Sequence, residues 1–508
     1  MKLVIKIAIA LTLLLAVATF AAAQSQWAPL TNGITILDQN GNPYQVPVGP
    51  VWQLRDGRVL VHEEQDNFPQ NWFVLTPDAQ GSYLNGTWTQ VGSTDPSYGP
   101  FYFGSQLLLN GKQFVIEGGE YNNNCANGCW TNLGSIATIV PWGPITWALN
   151  SPPTGWTQIG DAESVLLADG RYMQANCCTA QNAIYNGPNS WTPTGSVNQR
   201  SNDESGFTLL PSGKVLTVDT KRAGSCGASK ASELYDPTTG VWSCGPQTPV
   251  QLYNSRDEEL GSAVLMYNNK VFQFGGNVVA TALYDVAGNT WASGPTPPNG
   301  LDQADGPGAL EPNGKVLEML SPGLFGYPCQ FMEYDPTGSS LSYTATQPDN
   351  CPPNGNSNNS DSSFYGHLMI LPTGQIMFAD FSPEMELYTP AAGVVAGVRP
   401  TILASSTVLR VASSNNILYG TQLNGLSENN AYGDDYQSAT NFPLVRFTSV
   451  SNGNVYYAFT HDDSTHSIAP GTFMYTKFDL PPTMPAGIYN MEAVANGIPS
   501  SGIKVQVK

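Results

Sequence analysis

At 508 residues the chain is long enough for more than one hydrophobic core. Only 12% of its residues are charged, the formal net charge is −19, and Gly (51), Pro (39) and Tyr (23) are abundant. Such a turn-rich, acidic composition suits an exported all-β protein and argues against nucleic acid and anionic membranes as partners.

Lys2 and Lys6 precede an apolar run from Ile7 to Phe20, and Ala21-Ala22-Ala23 before Gln24 has the form of a cleavage site. Residues 1–23 are therefore expected to be a secretory signal peptide, which directs the chain to a secreted, periplasmic or cell-surface location. No later apolar stretch approaches bilayer length, so no integral membrane insertion is expected. Residues 24–46 read as a leader, part of which would supply a closing strand for the last unit of a repeat array.

From residue 47 one phrase recurs about every fifty residues: an apolar stretch, a tight turn, a second apolar stretch. Its copies are VWQLRDGRVLV from Val51, SQLLLNGKQFVIEGG from Ser105, SVLLADGRYMQ from Ser164, FTLLPSGKVLTV from Phe207, AVLMYNNKVFQFGG from Ala263, GALEPNGKVLEM from Gly308 and LMILPTGQIMFA from Leu368. Each turn carries the Gly, Asn or Asp that a hairpin needs. Seven copies at this period predict a seven-bladed β-propeller over residues 47–397. A third strand and an aromatic residue follow in several copies: Tyr235 with Trp242, Tyr284 with Trp291, and, more weakly, Tyr185 with Trp191 and Tyr334 with Tyr343. These are read as packing between blades.

Beyond Val398-Arg399-Pro400 the pattern changes. Strands are expected at Leu409 to Leu418, Pro443 to Thr448, Val455 to Phe459, Thr472 to Leu480, Gly487 to Ala495 and Gly502 to Val507, an immunoglobulin-like β-sandwich over 398–508. The fold class is thus all-β, a propeller followed by a sandwich. The eight Cys of an exported chain read as disulfides. Proximity suggests Cys125–Cys129, Cys226–Cys244 and Cys329–Cys351, with Cys177 and Cys178 adjacent; sequence does not fix the pairing, and no zinc-type Cys/His spacing occurs. Asn85 and Asn358 head glycosylation-type triplets.

The repeats resemble kelch repeats, in which a Gly pair ends the second strand; Gly118-Gly119 and Gly275-Gly276 keep that pair. With the C-terminal segment, in which Tyr432-Gly433-Asp434-Asp435 precedes Phe442-Pro443-Leu444, the architecture resembles the galactose oxidase and glyoxal oxidase group. That resemblance implies a loop reaching into the propeller channel. It also implies one copper ion held by two Tyr and two His, one Tyr joined to a Cys. Counting back from each turn, the Cys position falls on Asp161, the cross-linked Tyr on Glu204, the Tyr-His pair on Phe364-Tyr365 and the loop His on Gly433 or Asp434. The resemblance therefore carries the fold without the copper-radical reaction.

The same positions hold oxygen donors. Asp161, Glu204 and Asp305 are read as equivalents in three blades, with Asp203 and Glu259 at the position just before, Tyr102 and Tyr365 as equivalents in two others, and Asp434 and Asp435 on the loop. Inner strands begin near the axis, so these groups are expected to share one acidic mouth. There Asp161, Glu204, Asp305 and Asp434 would suit a divalent cation such as calcium. Tyr102, Asp161, Glu204, Glu259, Asp305, Tyr365 and Asp434 would suit a carbohydrate or another small hydroxyl-rich ligand. Two alternatives stay open: a glycan hydrolase or lyase using Asp161 and Glu204, or an oxidase with a non-standard metal site, at the same mouth; and a structural envelope protein whose partners are surface proteins. His461-Asp462-Asp463 with His466 and the run Arg256-Asp257-Glu258-Glu259 are read as solvated segments.

Overall fold

The computed structural model describes residues 25–37, 40–64, 70–123, 129–221, 225–226, 229–351 and 361–508. The expected signal peptide, Cys125 and Asn358 lie outside the described residues. Strands and two short 3-10 turns make up the regular structure of the described residues.

Seven antiparallel sheets follow one another in the chain and form the blades of a propeller, six of them four-stranded and the sixth blade's four strands extended to a six-stranded sheet. Their first strands are Val48–Gln53, Gly104–Leu107, Ser164–Leu166, Thr208–Leu209, Leu260–Leu265, Gly308–Leu310 and His367–Ile370. The first strands of blades 2 to 7 touch in turn and that of blade 7 touches that of blade 1, so this set lines the axis. The repeated phrase is the hairpin that joins the first strand to the second. In six blades it closes through the same bond, Leu54 N–H to the Arg58 carbonyl at 2.8 Å and its counterparts at Leu167, Leu210, Met266, Glu311 and Leu371. Blade 2 has one residue more, Leu108 bonding to Gln113. Each turn includes a left-handed residue, glycine in six blades and Asn269 (φ 62°) in the fifth, because a β-carbon disfavours that conformation.

On the third and fourth strands Tyr185, Tyr235 and Tyr284 stand directly opposite Trp191, Trp242 and Trp291. Their ring centroids are 5.1, 5.3 and 5.1 Å apart. The sixth blade departs from the expected pairing: Leu341 faces Tyr334, and Tyr343 lies two residues on, opposite Met332. The seventh blade takes its outer strand from the N-terminal segment, Gln26–Pro29 pairing with Glu386–Thr389. Trp27 packs there on Phe331, Phe378 and Tyr388, with centroids 4.7–5.6 Å away.

The C-terminal strands form one curled sheet whose halves enclose a core of Leu409, Leu418, Val445, Phe447, Met474, Phe478, Met491 and Val505. Leu409 to Leu418 is not one strand. Pairing stops at Leu409 and resumes at Asn416, because Ala412 (φ 54°) and Asn415 (φ 56°) turn the chain between them. An additional strand, Thr401–Ser405, pairs on the other side of Asn416–Thr421.

Within the segment expected to be solvated, His461, Asp463 and His466 are buried, while Asp462 and Ser464 are exposed. Asp463 forms a 2.6 Å ion pair with Arg55 from the first blade's turn, and both side chains are fully shielded. His466 bonds to Asn441 at 2.9 Å. The segment therefore joins the propeller to the C-terminal sheet. Disulfides link Cys177–Cys178, Cys226–Cys244 and Cys329–Cys351.

Candidate functional site

A propeller leaves the inner edge of every first strand unpaired, and those N–H and C=O groups need partners. A finger from the C-terminal sheet, residues 428–441, supplies them. Asn430–Ala431 adds a strand to Gly308–Leu310. Leu310 N–H bonds to the Asn429 carbonyl at 2.9 Å, Ile370 N–H to Asn430 Oδ1 at 2.9 Å and Leu209 N–H to Glu428 Oε2 at 2.8 Å. Gln437 takes the Ser164 hydroxyl at 2.8 Å, and its carbonyl takes Ser105 Oγ at 3.1 Å and Trp52 Nε1 at 3.2 Å. Tyr436 N–H bonds to the Phe103 carbonyl, while its hydroxyl accepts from Tyr102 N–H at 2.6 Å and donates to Glu64 Oε1 at 3.1 Å. The finger thus plugs the axis and fixes its tip, Gly433-Asp434-Asp435, against blades 4 and 6.

At that tip the expected carboxylates meet. One group consists of Glu204, Asp305 and Asp434, and a second of Asp161, Asp203 and Glu204, the ligand oxygens within each lying within 4.8 Å of one another. Glu204 belongs to both, and its backbone N–H reaches Asp434 Oδ2 at 3.2 Å. Glu259 bridges the first group through side-chain contacts with Glu204 and Asp305. Asp161 and Asp435 are 6% and 3% exposed, and each keeps one carboxylate oxygen with no hydrogen-bond partner among the described residues.

The backbone aims these groups. Residues leading into the first strands adopt left-handed φ: Tyr102 (51°), Gly160 (67°), Glu204 (60°), Glu258 (69°) and Asp305 (47°). Non-glycine residues hold that conformation at a cost of about 1–3 kcal/mol each, which the surroundings must offset. In the third blade the left-handed residue is Gly160, so Asp161 sits one step later than the sequence count implied, and it still reaches the group.

Burial is the largest cause that raises the pKa of Asp161, Glu204, Glu259, Asp434 and Asp435, and the charges of their neighbours add to it. Asp305 is pushed up to about 7, chiefly by burial, with the Glu259 contact opposing. So many close carboxyls cannot all ionise unless positive charge joins them.

Part of that charge comes from a residue the strand-start count missed. Lys221 is 5% exposed and pairs with Asp203 at 2.8 Å and Glu258 at 3.0 Å. Burial alone would lower its pKa, but Asp203 and Glu204 hold it raised. Lys221 follows the second strand of blade 4, as Glu120 follows that of blade 2. Antiparallel pairing brings the end of a second strand to the same mouth as the start of the first. Counting both ends would have found it. Glu258 pairs with Lys221 and Arg200 and Glu259 is buried, so of the run expected to be solvated only Arg256 is exposed.

Aromatic rings border the carboxylates. Phe101, Tyr102, Phe381, Tyr365, Phe364 and Phe325 form a continuous chain with successive centroids 4.0–6.4 Å apart. Tyr365, expected at the mouth, lies in the 3-10 turn Ser363–Tyr365 within this chain. His367 stands behind it, buried between Phe381, Tyr432 and Tyr436, and burial lowers its pKa to about 3.

No family model and no curated protein matches this chain. Among solved structures, a fungal alcohol oxidase of the AA5 family, in complex with copper, is similar over 94% of this chain and 99% of its own, at 13% identity and a TM-score of 0.37. Virginiamycin B lyase from Staphylococcus aureus is similar over 72% and 99%, at 11% identity and 0.45. The WD40 propeller domain of Doa1 is similar over 72% and 97%, at 12% identity and 0.43.

Proposed function

We propose that this is an exported binding protein whose propeller mouth takes a carbohydrate or another small hydroxyl-rich ligand. The observation that carries the reading is the meeting of a partly buried carboxylate cluster with a continuous aromatic chain, whose Tyr102 stands near Asp435 and Glu120. Carboxylates accept hydrogen bonds from hydroxyl groups, and ring faces stack on the apolar face of a sugar. Disulfides and the leader-like N-terminus support an extracellular or cell-surface setting. Copper-radical chemistry is not part of the reading, because the donors that meet here are carboxylates, whereas copper favours imidazole and thiolate.

Glycan hydrolysis by Asp161 and Glu204 is the second reading. One oxygen of each carboxylate lies within 4.8 Å of the other, close enough to share a proton or a cation. A glycan array with wild type and the Asp161→Asn/Glu204→Gln double variant tests the reading. Selective retention by wild type alone is expected, and equal binding by both removes the mouth from the argument. Product release by wild type and not by the variant would instead establish the enzyme.

A further inference from the structure

We propose that the acidic mouth contains two cation positions, that Lys221 permanently occupies one, and that Glu204, Asp305 and Asp434 bind a single calcium-type ion at the other. This rests on the mouth being the binding site proposed above and names the inorganic partner it would use.

The two carboxylate groups are built alike but are neutralised differently. In the group of Asp161, Asp203 and Glu204, the ammonium of Lys221 stands 2.8 Å from Asp203 Oδ2. It also pairs with Glu258 Oε2 at 3.0 Å. A primary ammonium is a compact point charge with three donors, and here it places a fixed positive charge on Asp203, one of the three carboxylates of this group. It is buried and paired with two carboxylates, so it stays charged and in place.

The group of Glu204, Asp305 and Asp434 has no such ion pair with a Lys or Arg among the described residues. Its oxygens come from three separate segments: the lead-in to blade 4, the lead-in to blade 6 and the finger tip. Glu259 and Asp435 stand beside it, and Asp435 Oδ1 is buried without a partner. Glu204 and Asp305 are half-buried while Asp434 is buried, which leaves an approach from the open side of the mouth. An all-oxygen donor set on separate loops suits Ca²⁺, which takes 6–8 oxygens in adaptable geometry, better than Mg²⁺, which demands a near-ideal octahedron.

The experiment is calorimetric titration of CaCl₂ into chelator-stripped, full-length mature protein, with no glycan present. Wild type is expected to bind one Ca²⁺. Lys221→Met frees the second position and is expected to bind two. Glu204→Gln, which removes the shared ligand, is expected to lower wild-type affinity at least tenfold. Circular dichroism confirms the fold of each variant. Should Lys221→Met fail to fold, Lys221→Gln with Glu258→Gln relieves the buried charge, and the same gain of a second ion is expected. A wild type that binds no ion or two, or a lysine variant that still binds one, overturns the proposal. Wild-type binding of one ion with no glycan retained on the array would sink the ligand reading while leaving the cation site standing.

Discussion

Gly433 lies so close to Asp305 that a β-carbon at this position would stand 2.3 Å from Asp305 Oδ1 and 3.3 Å from its Cα. The finger tip can enter the carboxylate group only because residue 433 has no side chain. On the other side its carbonyl closes against Gly206, where a β-carbon would stand 2.5 Å from that oxygen. Gly433→Ala is therefore expected to displace Asp305 and Asp434 relative to Glu204 without unfolding a blade. Ca²⁺ affinity should fall at least tenfold by calorimetry while the melting temperature stays within a few degrees of wild type. An unchanged affinity would mean that the carboxylates do not act together.

The hydroxyl of Tyr436 anchors the same finger, accepting from Tyr102 N–H and donating to Glu64, which also meets His62 Nδ1 at 3.0 Å. Tyr436→Phe keeps the ring against Phe103 and His367 and removes only the oxygen. Loss of a buried acceptor is expected to cost about 1–3 kcal/mol. Urea denaturation should show this as a lower midpoint with an unchanged slope. A change under about 0.5 kcal/mol, the range of an ordinary surface substitution, would contradict the anchoring role.

Stability should fall as pH rises across the neutral range. Away from the mouth, Glu318 is pushed up to about 8 by burial, against hydrogen bonds from Gln303 and Ser262. Asp219 and Glu311 are also pushed up to about 8, first by burial and then by Glu233 and Glu333 respectively. In the unfolded chain such groups titrate near about 4. Between about 4 and 8 the folded state therefore holds protons that the unfolded chain has lost. This contribution is complete below the unfolded value and disappears as pH climbs through the folded one. Calorimetric melting in the presence of chelator should give a transition several degrees higher at pH 5 than at pH 8. The reverse order would contradict the protonated state of these carboxyls.

How much of the molecule is legible in the sequence depends on how local each signal is. The hairpin between first and second strands is closed by residues four or five apart, so Leu54 to Arg58 and its counterparts repeat visibly and set the blade count. The same ruler locates Asp161, Glu204 and Asp305, because each stands a short, countable distance before a hairpin turn, whereas Asp434 is reached only through the resemblance of the C-terminal segment. Lys221 escapes it because its importance depends on Glu258, a residue of the next blade. Arg55 and Asp463 are 408 residues apart, and nothing near either one announces a buried pair. Tyr343 is misplaced because two aromatic positions on the fourth strand differ by one strand period, and only the register with Met332 separates them.

The ring itself closes through Trp27, which makes the N-terminal strand a point where the propeller can open. Its neighbours Phe331, Phe378 and Tyr388 come from blades 6 and 7, so the indole covers the seam between them. The indole N–H also reaches the Thr346 carbonyl at 3.1 Å. Full truncation of a buried Trp costs about 3–5 kcal/mol, and Trp27 is half-buried, so Trp27→Ala is expected to cost about 2 kcal/mol. The loss should be local. Leu30 N–H bonds to the Met385 carbonyl at 2.8 Å, and its hydrogen exchange should accelerate along with that of the strand. Exchange at Leu216 in blade 4, on the far side of the ring, should change much less. Equal acceleration at both sites would show that the seam does not open independently and that the blades unfold as one unit.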